Sequence, residues 1–119
     1  MRYILLIQTD EAVDRLPPGS PEFLNMMAGY QAAMDAASSL GILESAEPLA
    51  PVSATRTVLV RGGRTVVTDG PFIETKEQLS GFFVLRDATL AQAEAIAAMI
   101  PGALHGAVEV RPLPGMAGP

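Results

Sequence analysis

The chain has 119 residues, 49% hydrophobic and 18% charged, which bounds it to one globular domain with a single core. Its net charge of −5 and pI near 4.7 remove the attraction to phosphate on which nucleic-acid binding depends, so no nucleic-acid partner is expected. With no cysteine and one histidine, His105, it offers no disulfide, thiolate nucleophile or zinc or iron–sulfur ligand set, and neither a metal nor a cofactor is expected.

Residues 3–7, Tyr-Ile-Leu-Leu-Ile, form a continuous apolar run too short for a helix, which predicts a strand buried on both faces. It is also shorter than a signal-peptide core, and no uncharged apolar run approaches the roughly 20 residues that span a bilayer. A soluble, cytoplasmic protein without a membrane partner is the expectation. Residues 10–19 read as a polar loop. A helix then opens on Ser20-Pro21-Glu22: a capping hydroxyl, a proline suited to the first helical position and an acid at the positive end of the dipole. Phe23, Met27, Tyr30, Met34 and Ala37 mark its buried stripe, and Gly41 its end.

Residues 42–49 alternate loosely, with Glu44 and Glu47 among apolar residues, and predict a half-exposed strand closed by Pro48 and Pro51. Two β-branched runs then flank Gly62-Gly63, a two-residue loop that permits the positive φ angles of a hairpin turn. Residues 81–85 are again continuously apolar, a second strand buried on both faces. Thr89-Leu90-Ala91-Gln92 is a capping box that opens an alanine-rich helix ended by Pro101-Gly102. Residues 107–111 alternate strictly, as a half-exposed strand does. The domain is read as residues 1–113, with 114–119 a flexible tail.

The core order of strand, helix, strand, inserted hairpin, strand, helix, strand matches an α+β, ferredoxin-like split βαβ arrangement. Burial agrees with it, because the two continuous apolar runs fall on the strands that this fold places centrally and the alternating ones on its edges. One helix layer covers one face of such a sheet. The other face needs a cover, and a second copy packed sheet to sheet supplies it, which predicts a homodimer built as a dimeric α+β barrel.

Counting outward from Gly62-Gly63 pairs Arg61 with Arg64, Val58 with Val67, and Arg56 with Asp69. The first pair is either a solvated tip or an anion contact. The last is either a clasp that fixes register or part of a ligand site. In the following stretch, VVTDGPFIETKEQLSGFF, Gly70-Pro71 breaks the strand and Phe72 is either an anchor to the core or a stacking platform. Thr75-Lys76-Glu77-Gln78 has capping-box form and could start one helical turn. A charge-poor chain nevertheless gathers Asp69, Glu74, Lys76 and Glu77 in this one connection beside both central strands.

The string VTDGPFIETKEQLSGFFVL, with the start MRYILLIQTDE and the end GAVEVRPL, resembles the YCII-related domain family in its Asp-Gly-Pro-Phe branch. The resemblance covers nearly the whole chain. It implies a ferredoxin-like dimeric α+β barrel and says little about chemistry, since the family is mostly uncharacterised. It also implies a regulatory or stress-linked role, because members of this branch tend to be encoded near extracytoplasmic-function sigma factors. An acidic residue commonly follows the first strand in this branch, so the resemblance adds Asp10 to Asp69, Glu74 and Lys76 as lining one pocket. The His–Asp pair proposed as catalytic in the other branch has no match here, because the first helix contains no histidine.

The candidate ligand-binding residues are therefore Asp10, Arg56, Asp69, Phe72, Glu74 and Lys76. His105 and Tyr30 stand as a loop residue and a core residue that could also supply a base or a phenol. Three functions compete: an accessory regulator binding an unknown small molecule, a small acid/base enzyme using the carboxylates of the loop, and a structural dimer docking a regulatory protein partner. No nucleophile–base pair, phosphate loop or metal spacing is read, so binding leads.

Overall fold

The structure, a computed structural model, describes residues 1–14 and 16–115. Tyr3, Leu5, Ile7 and Thr9 alternate along β1 (Arg2–Thr9) and are all buried on one side. The expected loop over 10–19 begins instead with a single helical turn, α1 (Glu11–Asp14), because Asp10 Oδ1 accepts the Ala12 N–H at 2.9 Å. In α2 (Pro21–Ser39), Ser20 Oγ accepts the Phe23 N–H at 3.2 Å and Pro21 takes the first position, as its sequence predicts. Gly41, at φ +73°, reverses the chain beyond the helix end.

The buried stripe of α2 differs from expectation. Ala33 and Ala37 are buried, Met26, Tyr30 and Met34 half-buried, and Met27 is 49% exposed. Close approach decides this: a Cβ on Gly29 would stand 2.6 Å from Pro101 Cγ. The helix therefore turns its glycine and alanines inward and leaves Met27 at the rim.

The chain continues through β2 (Leu43–Pro48), a 3-10 turn at Val52–Ala54, β3 (Arg56–Arg61), β4 (Arg64–Asp69) and β5 (Gln78–Leu85). Then come α3 (Leu90–Met99), a 3-10 turn at Pro101–Leu104 and β6 (Ala107–Leu113). Thr89 and Gln92 form the predicted capping box at α3. No helical turn starts at Thr75, because the third position after it, Gln78, already belongs to β5. The Thr75 hydroxyl donates instead to the Glu77 carbonyl, and Gln78 Nε2 to the Thr75 carbonyl at 3.0 Å. Of the expected tail, residues 116–119 lie outside the described residues.

The antiparallel sheet runs β2-β5-β1-β6, so the two apolar runs are its central strands and the fold is the expected ferredoxin-like α+β one. One face carries Tyr3, Leu5, Ile7, Phe83 and Leu85 into a core closed by Ala33, Ala37, Ala93, Ile96 and Ile100 of the helix layer. On the other face Ile4 pairs with Val84 and Leu6 with Phe82. Ile4, Leu6 and Phe82 are only half-buried there, and Val84, though buried, stands outside the core cluster. Polar links frame this apolar centre: Gln8 Nε2 donates to Glu109 Oε1 at 3.2 Å, and Arg2 grips Glu44. Hairpin β3–β4 forms a separate two-stranded sheet.

Candidate functional site

A cavity of about 330 Å³ opens between α2 and the β2 edge of the sheet. Its floor is Ile7, Gly81 and Phe83 of the central strands, and Met26, Met27, Tyr30 and Met34 of α2 form its roof. Ala46 and Glu47 of β2 and the segment Pro48, Leu49, Ala50 and Pro51 close one side. Gly81 is required where it stands, since a Cβ there would lie 2.9 Å from the Glu47 carbonyl oxygen and push β2 away from β5. Methionine side chains are unbranched and polarizable, so a roof built from three of them adapts to the shape of an apolar guest.

The polar groups of the lining are few. Glu11 Oε1 accepts the Val52 N–H at 2.7 Å, which ties α1 to the turn that leads into the hairpin. Ser80 Oγ donates to the Ile7 carbonyl at 3.2 Å, inside the irregular pairing of β1 with β5. The Tyr30 oxygen lies near Gly102, 3.5 Å from where a Cβ would be. Glu47 also borders the cavity, but it pairs with Phe82, so its exposed carboxylate leaves β2 on the open-face side. The lining thus suits a largely apolar molecule with a neutral or cationic polar end. The sequence carried a signal for it, the methionines Met26, Met27 and Met34 on one helix, which core packing alone also explains.

The residues that the sequence nominates for a site do not line this cavity. Asp10 caps α1 immediately before Glu11, which does line the cavity. Arg56 and Asp69 pair as counted, with Nε 3.1 Å from Oδ1, and both are exposed. Arg61 stands opposite Arg64 at the tip, with Nη1 donating to the Val60 carbonyl at 3.1 Å. Phe72 does not anchor the loop to the core: it is 69% exposed and its neighbour Ile73 63%, because the loop passes outside the helix-covered face. Glu74, Lys76 and Glu77 are exposed as well. None of Asp10, Arg56, Asp69, Phe72, Glu74 and Lys76 is among the cavity's lining residues. His105, exposed, borders a second hollow between α2 and the Pro101–Leu104 turn, with Glu22 and Leu104.

The one strong charge pairing on the sheet, among the described residues, is Arg2 with Glu44, Nη2 to Oε2 at 2.6 Å and Nε to Oε1 at 3.0 Å. The hydrogen bonds from Arg2 hold the Glu44 carboxyl below the usual carboxylate range; desolvation works the other way, and the Arg2 and Arg86 charges add to the lowering. Among the described residues no group of three or more His, Asp or Glu is placed to hold a metal ion, and no helix is long and apolar enough to cross a membrane.

The YCII-related domain matches residues 1–116. The chain belongs to the YCII-related domain family. It is also 36% identical, over 115 residues covering 95% of this chain and 92% of the relative, to the uncharacterised protein R00369 of Rhizobium meliloti (strain 1021). This YCII-related chain and that relative therefore correspond along nearly their whole lengths.

Proposed function

We propose that this protein is a small-molecule-binding module that works as a homodimeric accessory regulator, with its ligand in the cavity beneath α2. The observation that carries this reading is the methionine-roofed cavity of about 330 Å³, within the size range of small-ligand sites and lined mainly by apolar side chains. The ligand class is amphipathic: an apolar body against Met26, Met34 and Phe83, and a neutral or cationic end toward Glu11. The neutral dye N-phenyl-1-naphthylamine tests it. Its fluorescence should saturate at one dye per chain, and Met27→Trp, which fills the rim at an exposed position, should abolish that signal without lowering Tm. Equal binding by parent and variant would place the ligand elsewhere.

A second reading keeps the ligand on the loop over 69–77. The observation favouring it is the exposure of Phe72 and Ile73 beside Glu74 and Lys76, an apolar platform next to both signs of charge. In that case Lys76→Ala, rather than Met27→Trp, removes binding.

A further inference from the structure

Hairpin β3–β4 stands apart from the four-stranded sheet, and hydrogen bonds close it at its base: the Gly70 N–H donates to the Thr55 carbonyl at 2.8 Å and the Thr57 hydroxyl to the Gly70 carbonyl at 2.7 Å. The register puts Val58, Val60 and Val67 on one face, and they are 60%, 61% and 46% exposed. A two-stranded hairpin is marginally stable at best in water, and three uncovered valines on one face call for a surface to lie on.

Shape and charge identify that surface. The chain exposes 7759 Å², whereas a compact protein of its mass exposes about 6,200 Å². Its radius of gyration is 16.3 Å against about 13.5 Å for a compact chain of this length. The excess, roughly 1,600 Å² per chain and so about 3,200 Å² for two, is twice the area that a standard specific interface removes and falls in the range of homodimer interfaces, about 2,000–5,000 Å² in total. Three of the eight basic residues, Arg56, Arg61 and Arg64, lie on the hairpin against one of the thirteen acidic ones, Asp69, so a cationic arm extends from an acidic body. A second copy offers such a body. The return loop, with exposed Phe72 and Ile73, also runs straight into β5, whose Phe82 and Val84 lie on the open sheet face.

We infer that hairpin β3–β4 is a dimerisation arm, laid across a second copy of this chain with its Val58, Val60 and Val67 face down, while Arg61 and Arg64, which share the opposite Leu59–Val66 face, reach that copy's carboxylates around the end of the hairpin. The inference rests on the homodimer reading and adds to it where the arm goes. Two-fold symmetry gives two such arms per dimer, each contributing the same contacts.

Sedimentation equilibrium on the full chain tests it with Val58→Asp combined with Val67→Asp, and separately with Leu6→Glu on the open sheet face. The hairpin variant should raise the dimer dissociation constant about 100-fold, tenfold for each carboxylate forced into an apolar contact. In parent dimers mixed from isotope-labelled and unlabelled chains, the methyls of Val58, Val60 and Val67 should show magnetization transfer to the other protomer; this measurement needs no variant to fold. If the hairpin variant keeps the parent's dissociation constant while Leu6→Glu raises it, and the valine methyls show no transfer, the arm is refuted and the sheet-to-sheet dimer stands. A monomeric parent refutes both.

Discussion

Arg56 and Asp69 face each other as the last paired residues at the base of the hairpin, Nε to Oδ1 3.1 Å apart, with both side chains largely in solvent. That exposure sets how much the pair does. At low protein concentration, where monomer dominates, a double-mutant cycle of Arg56→Ala and Asp69→Ala should give a coupling under about 1 kcal/mol, because water and salt screen exposed ion pairs. A much larger coupling at concentrations where the dimer forms would show that association of two chains removes the pair from water.

Sheet-to-sheet association makes a sharper claim. The parent should sediment at twice its 12.5 kDa chain mass. Leu6→Glu places a charge opposite Phe82 at the centre of the open face and should give a folded monomer. A parent that stays monomeric at high micromolar concentration would remove the dimeric barrel.

Stability should divide between the two apolar populations of the chain. Leu5 is completely buried between β5 and β6, and Leu5→Ala should cost about 2 to 5 kcal/mol through lost burial and the cavity left behind. Val60→Ala removes a side chain that is 61% exposed in the single chain. Measured by urea unfolding at low protein concentration, where monomer dominates, it should change stability by no more than about 0.5 kcal/mol.

Strand order was legible because the two continuous apolar runs had to be central and the alternating ones peripheral, and the hairpin register followed from Gly62-Gly63 alone. What the sequence did not reveal depends on approach in three dimensions. Met27 lost its place in the helix stripe to Ala33 because Gly29 brings the helix so close to Pro101. Thr75 could not cap a helix because β5 begins three residues later, which local pattern does not register. Phe72 has the size of a core anchor, yet the loop carries it outward, away from the one face the helices cover. The cavity was hidden for a related reason: methionines at helical spacing look the same whether they fill a core or roof a hollow.

The Arg2–Glu44 link predicts a pH dependence. Glu44 has its carboxyl pKa lowered in the folded chain, chiefly by the hydrogen bonds from Arg2. Within the window between the folded and unfolded values the unfolded chain binds more protons, so the stability the carboxylate contributes is full above the unfolded value and is lost as pH falls through the folded one. Carbon-detected NMR titration should find Glu44 below an ordinary glutamate, and Arg2→Ala should move it upward. An unmoved titration curve in that variant would assign the lowering to another group.

The loop over 69–77 allows the decisive comparison. Turn chemistry accounts for Gly70, at φ +91°, and for Pro71, but not for Glu74, Lys76 and the exposed Phe72. If the cavity beneath α2 is the ligand site, Glu74→Ala and Lys76→Ala should leave both Tm and dye affinity near the parent values, the stability change staying within about 0.5 kcal/mol. Phe72→Ala should then weaken the dimer instead, since its ring lies on the return from the hairpin arm. Loss of dye binding in Lys76→Ala with an unchanged melting curve, alongside normal binding in Met27→Trp, would reverse the assignment, making the loop the ligand-contacting element and the methionine-roofed cavity a feature of packing.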